Sequence, residues 1–509
     1  MYRPVRPQTP GKGAVFFAEY TAGPRSSPAK MVLKGTEGKT LEITSLPGLP
    51  PSDEETRVVF EYRVPEDFTL QEIVAHRAPD YPDEPPYNPL REAGFRPPDG
   101  GISFSQNSVT VAAGYRLSWS DREITIALPG AEADTGEVPG EGGSVKLAYE
   151  GEVPPYGAED GSEPVSVAVD GPAGERTALF TPRAGANSLF FHPAAWEGDF
   201  DRITLEGIDD SFRPVALTPG EPPESLNSPI DLEAGSILRF DTSAWRREDF
   251  ELFRWNLFPS ILVFDTRDYA VQAGMFKRLA FFVEKRGYIG KLLSDGELEG
   301  KHGWNAHDYR AIDLAAFFQA AADRHFALGE EELRLRDTLL ENGIIRYDGG
   351  MYLPGDGGVI SLSRESSDYL RRKFMVHEGY HGVFFASREF RERCFELFEG
   401  RPDRERRFWA DFFGLMGYGV ENRYLLVNEY QAYLLQQPVG EAENYFRAHW
   451  AYRRLAGDGE VFDAGTSPFI EAAREMERTV HDYFGLKAGE LFCLDGYARG
   501  SVQSYVSRK

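Results

Sequence analysis

Residues 377–381 read His-Glu-Gly-Tyr-His, inside a run over 373–385 that predicts a buried helix. Side chains four positions apart share one face of an α-helix. Two imidazoles at the spacing of His377 and His381 can therefore bind one metal ion, and Glu378 can reach a water molecule bound to it. The pattern His-Glu-x-x-His predicts a zinc site with a general base beside it.

The residues around the motif are apolar. Phe374, Met375 and Val376 come before it, and residues 383–385 after it are Val, Phe and Phe. Apolar residues on most faces indicate a buried helix. Two imidazoles and a carboxylate are costly to bury without partners, and a bound metal ion offsets that cost.

A third ligand is predicted on a later helix, over residues 421–437. Glu429 is nearly alone as an acid in the apolar and aromatic run 425–435, and a buried carboxylate needs a cation or hydrogen-bond donors. Glu421 is the alternative, but it follows a glycine-rich turn, where a solvated acid at a helix start is natural. Two His and one Glu leave a fourth position open for water, as in catalytic zinc sites. The sequence thus predicts one Zn²⁺ ion with the ligands His377, His381 and Glu429.

Two motifs together resemble a known family. His-Glu-x-x-His followed by Asn-Glu-x-x-Ala, here Asn428–Ala432, is similar to the gluzincin class of zinc metallopeptidases, over roughly residues 343–438. In that class both motif histidines and the second glutamate bind zinc, and the first glutamate is the general base. The resemblance implies these roles for His377, His381, Glu429 and Glu378.

The chain departs from that class in two ways. The gap between His381 and Glu429 is longer than in the commonest members and holds two predicted helices. Thermolysin-like members carry an acid four residues after the ligand glutamate, and Tyr433 stands there in this chain. No subfamily is therefore assigned.

The predicted reaction is hydrolysis of peptide bonds in a peptide or protein by a zinc-activated water. Glu378 would take the proton of the water as it attacks the carbonyl. A strand over Val359–Ser363 is expected to be an exposed edge that binds the substrate backbone. The oxyanion needs a donor besides zinc, and Tyr380 is disfavoured because it lies off the histidine face. The candidate donors are Tyr380, Tyr418, Tyr430, Tyr433, Tyr497 and Tyr505.

A second dense cluster of polar and aromatic residues spans Lys301–Arg310. One interpretation is a loop lining the cleft, with His307 or Asp308 touching substrate. The other is a turn in which Asn305 or Asp308 caps the following helix.

The predicted secondary structure changes near residue 248, from mainly strands to mainly helices. Short β-type runs separated by turn residues come before it and are typical of sandwich-like modules. We predict a multidomain protein: β-rich modules over 1–164 and 165–248, then a mainly helical α+β, gluzincin-like catalytic domain over 249–509. Helical spacing of apolar residues recurs over 310–326, 329–343, 388–399, 404–416, 421–437, 441–455 and 467–484.

Charge and composition exclude several classes of protein. Fifty-six Lys and Arg against 81 Asp and Glu give a net charge of −25, which argues against binding to nucleic acid or anionic lipid. We see no apolar run long enough for a membrane-spanning helix and no signal peptide. Two cysteines exclude a disulfide framework, and Cys394 is expected to be a buried thiol. Accessory β modules favour, by analogy, a secreted or extracytoplasmic protein.

Two other functions stay open. The first is a non-catalytic surface or binding protein, whose β modules hold a glycan or protein partner and whose zinc site is structural or degenerate. Glu378 argues against it, because a structural site has no use for a base. The second is a zinc hydrolase of a non-peptide amide or ester. An open groove along Val359–Ser363 would favour the peptidase over this alternative.

Overall fold

The computed structural model describes residues 212–448 and 468–495 without a break, and separate segments between residues 15 and 208. The chain forms two compact units. We call them the β-rich unit and the helical unit. The β-rich unit comprises Met1–Val153, Asp160–Glu221 and Leu494–Lys509, and the helical unit comprises Pro154–Glu159 and Pro222–Cys493.

The described elements of the β-rich unit are mainly strands, arranged in three sheets. The seven-stranded sheet has the order β13-β10-β15-β7-β4-β1-β6, the six-stranded sheet β23-β12-β11-β14-β9-β8, and the third β3-β2-β5, where the labels denote the following strands. They are β1 (Val15–Ala22), β2 (Pro28–Gly35), β3 (Thr40–Ile43), β4 (Thr56–Arg63), β5 (Leu70–Arg77), β6 (Leu90–Arg96), β7 (Ser108–Ala112), β8 (Arg116–Ser120), β9 (Glu123–Ala127), β10 (Val145–Gly151), β11 (Val165–Asp170), β12 (Arg176–Phe180), β13 (Gly185–Phe191), β14 (Arg202–Glu206), β15 (Phe212–Pro219) and, late in the chain, β23 (Leu494–Asp495). Neighbouring strands are antiparallel except β7 and β15, which are parallel.

Alternating side chains build the core of this unit. Along β10 the residues at every second position, Val145, Leu147 and Tyr149, are buried, which is the period of a strand with one face inward. The Tyr149 ring lies edge-on to Phe180 of β12, with ring centroids 5.5 Å apart. Side chains of the seven-stranded and six-stranded sheets therefore meet.

The coarse division of the chain is confirmed. A β-rich region comes first and a mainly helical region follows. The boundary predicted at residue 164 lies outside the described residues, and strands from both sides of it share the seven-stranded sheet. The three-part division at 164 and 248 stays a prediction.

The helical unit is built on a five-stranded sheet of order β16-β17-β18-β22-β19. Strand β22 is parallel to β18 and antiparallel to β19. The elements of this unit are β16 (Ile230–Leu232), α1 (Ala234–Arg239), β17 (Phe250–Trp255), β18 (Ile261–Thr266), α2 (Tyr269–Val283), α3 (Asp295–Leu298), β19 (His307–Arg310), α4 (Ala311–Asp323), α5 (Glu330–Glu341), β20 (Ile345–Asp348), β21 (Met351–Pro354), β22 (Gly358–Ser363), α6 (Asp368–Ala386), α7 (Arg388–Gly400), α8 (Asp403–Leu415), α9 (Arg423–Leu435), α10 (Val439–Ala448) and α11 (Pro468–Phe484). None of the helices that the structure describes is long and apolar enough to cross a bilayer.

One side of the five-stranded sheet packs against α2, α4 and α5. The side chains that meet there are apolar, and we call them the apolar cluster. Leu262 and Phe264 of β18 contribute from the sheet, and Phe276 and Phe317 contribute from the helices. Burial of this much apolar surface is the main source of folding free energy in the unit.

Helix α6 packs on the sheet through small residues. Ser367 is the N-cap of this helix, and its side chain accepts a hydrogen bond from the Leu370 N–H. A Cβ at Gly382 would lie 3.3 Å from Ile261, and a Cβ at Gly379 would lie 2.2 Å from Leu491. Glycine at these positions lets α6 come close to its neighbours.

The prediction that Val359–Ser363 is an exposed edge strand is wrong. Every residue of β22 is buried, because β18 and β19 pair with it on its two sides. The edge position belongs to β19, which lies in the cluster interpreted as a loop or a cap. Helix α4 begins after Arg310, so neither Asn305 nor Asp308 caps it.

The two cysteines form no disulfide. Cys394 and Cys493 are both buried, as expected for Cys394. The Cys394 Sγ lies 3.6 Å from the Met476 Sδ. Burial raises the pKa of the Cys394 thiol, which keeps it in the unreactive protonated form.

Candidate metal centre

Helices α6 and α9 bring the three predicted ligands together. His377 and His381 lie one turn apart on α6, and their Nε2 atoms are 3.2 Å apart. The Glu429 Oε2 atom, on α9, lies 3.9 Å from each of these nitrogens. All three side chains are buried, and Glu429 is only 1 % exposed.

The triangle of donor atoms fits a metal ion. With sides of 3.2, 3.9 and 3.9 Å, it encloses a point about 2.1 Å from every corner, which is an ordinary Zn–N distance. The Glu429 Oε2 atom has no hydrogen-bond partner among the described residues, although it is buried. Such an atom is costly to bury unless a cation compensates it.

Burial also sets the protonation of the two histidines. It lowers the pKa of His377 well below the usual range, with help from His381 and Lys373, and it lowers the pKa of His381 to about 4. Both imidazoles are therefore neutral near pH 7. The neutral imidazole is the form that binds a metal.

Four carboxyl groups lie around the histidines, and we call them the buried acid cluster: Glu284, Asp308, Glu378 and Glu429. Burial raises the pKa of Glu378, and the charge of Glu284 raises it further. Burial also raises the pKa of Glu429, followed by the charges of Glu284 and Glu378. Four acids this close disfavour full ionisation of one another.

Glu284 was not predicted from the sequence. It follows the last residue of α2, and its Oε1 accepts a hydrogen bond of 3.0 Å from the Tyr309 hydroxyl. Burial raises its pKa to about 7. A lone acid after an apolar helix carries no local sequence signal for such a place.

Asp308 lies behind the second histidine. Its Oδ2 is 3.7 Å from the His381 Nδ1, the ring nitrogen on the far side from Glu429, and it accepts a hydrogen bond of 3.2 Å from the Asn428 side chain. The distance to the imidazole exceeds that of a hydrogen bond, and the His381 Nδ1 has no hydrogen-bond partner among the described residues. Tyr433, four residues after Glu429, packs its ring edge-on against His377, with centroids 4.7 Å apart.

A cavity of about 240 Å³ opens at His377. Its walls include three carboxyl groups, those of Glu284, Asp308 and Glu378. Three side chains with phenolic hydroxyl groups also line it, namely Tyr418, Tyr433 and Tyr445. A small molecule in this cavity would touch Glu378 and a tyrosine side chain together.

The structure reduces the number of tyrosines that could donate a hydrogen bond to the oxyanion. The Tyr380 hydroxyl donates to the Lys487 carbonyl, and Tyr430 packs between Phe398 and Trp409, so neither lines the cavity. Tyr497 and Tyr505 lie outside the described residues. Tyr418 and Tyr433 remain from the predicted set, and the sequence analysis missed Tyr445.

The other candidates lie elsewhere. Glu421 is exposed and precedes Asn422, the residue that caps α9. His307 faces away from the cavity, because its Nδ1 lies 3.0 Å from the Ser361 Oγ and its ring stacks on Phe276. Of the two residues expected to touch substrate, only Asp308 lines the cavity.

Comparison with protein-family models, with curated proteins and with solved structures found no match to this chain. The family resemblance therefore rests on the motif residues alone. What it implies about activity is a matter for proposal and experiment.

Proposed function

We propose that this chain is a zinc-dependent metallopeptidase of the gluzincin type. His377, His381 and Glu429 would hold one Zn²⁺ ion, and Glu378 would be the general base. The observation that carries the proposal is the triangle of two neutral imidazole nitrogens and one buried carboxylate oxygen that lacks a hydrogen-bond partner among the described residues.

The residues around the triangle support hydrolytic chemistry. When bound, zinc would polarise a substrate carbonyl and activate a water molecule. Glu378 follows His377 directly and lines the cavity, which supports the role in which it would accept the proton of an attacking water. The Tyr418 or Tyr433 hydroxyl would donate a hydrogen bond to the oxygen that becomes negative.

The wider assignment is part of the same proposal. The catalytic domain would span residues 249–509, and the β-rich unit would consist of sandwich-like modules. The contact of Tyr149 with Phe180, between two sheets, supports that description. These modules would bind a glycan or protein partner or support the catalytic domain, and an exported location is expected.

A second candidate is a zinc hydrolase of a non-peptide amide or ester. Two observations favour it: the cavity is small, and β22 is interior instead of facing a groove. A peptide backbone would have to pair with β19, the terminal strand of the sheet on that side. The two candidates share the metal, the base and the first step.

Metal analysis combined with a digest of a peptide library tests the proposal. Glu378→Gln should keep stoichiometric zinc and lose about 10²- to 10⁴-fold in rate, because it cannot accept the proton. His381→Ala and Glu429→Gln should lose zinc. Glu421→Gln is the matched control, since this exposed acid lies just before the same helix as Glu429 and should change neither property.

Three outcomes would count against the proposal. Wild-type protein without stoichiometric metal contradicts the site itself. Zinc retained by Glu429→Gln contradicts the third ligand. Hydrolysis of small esters or amides without any peptide cleavage selects the second candidate.

A further inference from the structure

A second cavity adjoins the one at the candidate metal centre. It has a volume of about 510 Å³, and the two cavities share Lys373, Gln436 and Tyr445 in their walls. A molecule that reaches the histidines can therefore touch the same three side chains from either cavity. The three form the junction between the cavities.

Lys373 is the cation at this junction. It is the one Lys or Arg among the described residues that line the cavity at the histidines. The side chain is partly buried and forms no ion pair within 4.0 Å in the part of the chain that the structure describes, and the acid whose charge acts on it is Glu441, in the wall of the outer cavity. Its Nζ lies 4.6 Å from the centre of the Tyr445 ring, a cation–π contact that holds the ammonium in place.

Gln436 offers a second donor at the junction. Its residue is 7 % exposed, its side-chain amide lies beside Tyr445 and His377, and the amide nitrogen has no hydrogen bond of ordinary geometry among the described residues. A buried amide nitrogen without an acceptor costs free energy that a ligand can recover. Lys373 and Gln436 thus bring an ammonium and an amide to the walls that the two cavities share.

The rest of the inner cavity repels anions. Glu284, Asp308 and Glu378 line it, and acids there disfavour a negatively charged ligand. Among the described side chains that line this cavity, Lys373 is the one that offers an ammonium to an anionic group. An ammonium and an amide N–H together suit a carboxylate, which accepts hydrogen bonds on both oxygens.

We propose that Lys373 and Gln436 form a carboxylate-binding subsite, which selects substrates with a free carboxylate close to the bond that is cleaved. Lys373 lies four residues before His377 on α6, a rise of about 6 Å along the helix. One extended residue spans about 3.5 Å, so the carboxylate would belong to a group one or two residues from the reacting carbonyl. A peptide's C-terminal carboxylate and an acidic side chain share this chemistry.

This inference rests on the proposed function, and a binding experiment separates the two. Zinc-loaded Glu378→Gln protein is titrated calorimetrically with an N-acetylated tripeptide, with its C-terminal amide, and with an amide whose last residue is Glu. The free acid should bind about 10- to 100-fold more tightly than the plain amide, as expected for a charge-assisted hydrogen bond. Adding Lys373→Met should abolish the preference, and adding Gln436→Leu should reduce it.

Arg372→Met is the matched control. Arg372 precedes Lys373 on the same helix but lines only the outer cavity, so the preference for the acid should persist. If Lys373→Met unfolds, Lys373→Gln removes the charge with a polar side chain of similar length. Zinc content and thermal unfolding of each variant are measured alongside.

The outcomes are distinct. Equal affinity for acid and amide, or an unchanged preference after Lys373→Met, overturns the subsite. Tight binding of the Glu-containing amide supports the subsite and assigns the carboxylate to a side chain. If the preference depends on Lys373 but wild-type protein cleaves no peptide, the subsite stands and the peptidase proposal fails.

Discussion

The two sides of the five-stranded sheet carry opposite chemistry. Towards α2, α4 and α5 the buried side chains of the apolar cluster are hydrocarbon and aromatic. Towards α6 and α9 the sheet is covered by helices that bury His377, His381, Glu378 and Glu429. The first side stabilises the fold by itself, whereas the second is stable only when something compensates its buried polar groups. The contrast shows that the side towards α6 carries the buried polar groups whose burial lowers the stability of the unit.

The largest effect is expected from the apolar side. Phe264→Ala removes a fully buried ring from the apolar cluster, and the cavity that it leaves should lower the free energy of unfolding by about 3–5 kcal/mol. Urea unfolding measures the loss. Ile312→Ala, on the exposed face of α4, is the control and should change stability by less than about 0.5 kcal/mol. Equal losses from the two variants would show that this side is not the source of stability.

The second-largest effect on stability is expected from the buried acid cluster, and it depends on pH. Burial raises the pKa of Glu284 to about 7, from an ordinary value of 4.5, so the folded state favours its protonated form. Its contribution to stability is present below pH 4.5 and is lost as the pH rises to about 7. In metal-free protein, Glu284→Gln should therefore be more stable than wild type at pH 8, by up to about 3 kcal/mol.

Urea unfolding with a chelator, from pH 4.5 to pH 8, tests that prediction. The difference between Glu284→Gln and wild type should shrink towards the acid end. Glutamine can still accept the hydrogen bond of the Tyr309 hydroxyl, so the charge alone changes. A difference that does not vary with pH would contradict the assigned cause.

The smallest effect concerns the contact that positions α6. Gly379→Ala would place a Cβ 2.2 Å from the Leu491 Cδ2, and the resulting overpacking outweighs the better helix propensity of alanine. A net loss of about 1–2 kcal/mol is expected. Gly400→Ala is the control, because nothing lies within 4 Å of its added Cβ. If Leu491→Ala does not lessen the cost of Gly379→Ala, the clash is not the cause.

Local patterns predicted the two helices that hold the site. The motif helix was expected over 373–385 and spans Asp368–Ala386, and the helix of Glu429 was expected over 421–437 and spans Arg423–Leu435. The burial and the ends of a helix depend largely on residues that are neighbours in sequence, so a local pattern can predict them. These two predictions therefore hold. Helix α2 was missed because it is buried on several faces and lacks a clear helical period.

Contacts between distant parts of the chain could not be predicted in the same way. The position of β22 inside the sheet depends on its pairing with the polar strand β19, whose four residues carry little strand signal. Glu284 and Asp308 join the histidines from places far away in sequence, and no spacing rule connects them. The tertiary fold, and not the local pattern, decides which strands are edges and which acids share a cavity.

The strand order of the six-stranded sheet matters during synthesis on the ribosome. Strand β12 pairs with β23, whose residues Leu494 and Asp495 are translated only after the whole helical unit. Until then the backbone of β12 has an open edge, and open edges invite pairing with other chains. The nascent protein must therefore complete an inserted unit before its first unit can close this edge, and crowded polysomes are the setting in which that delay is most hazardous.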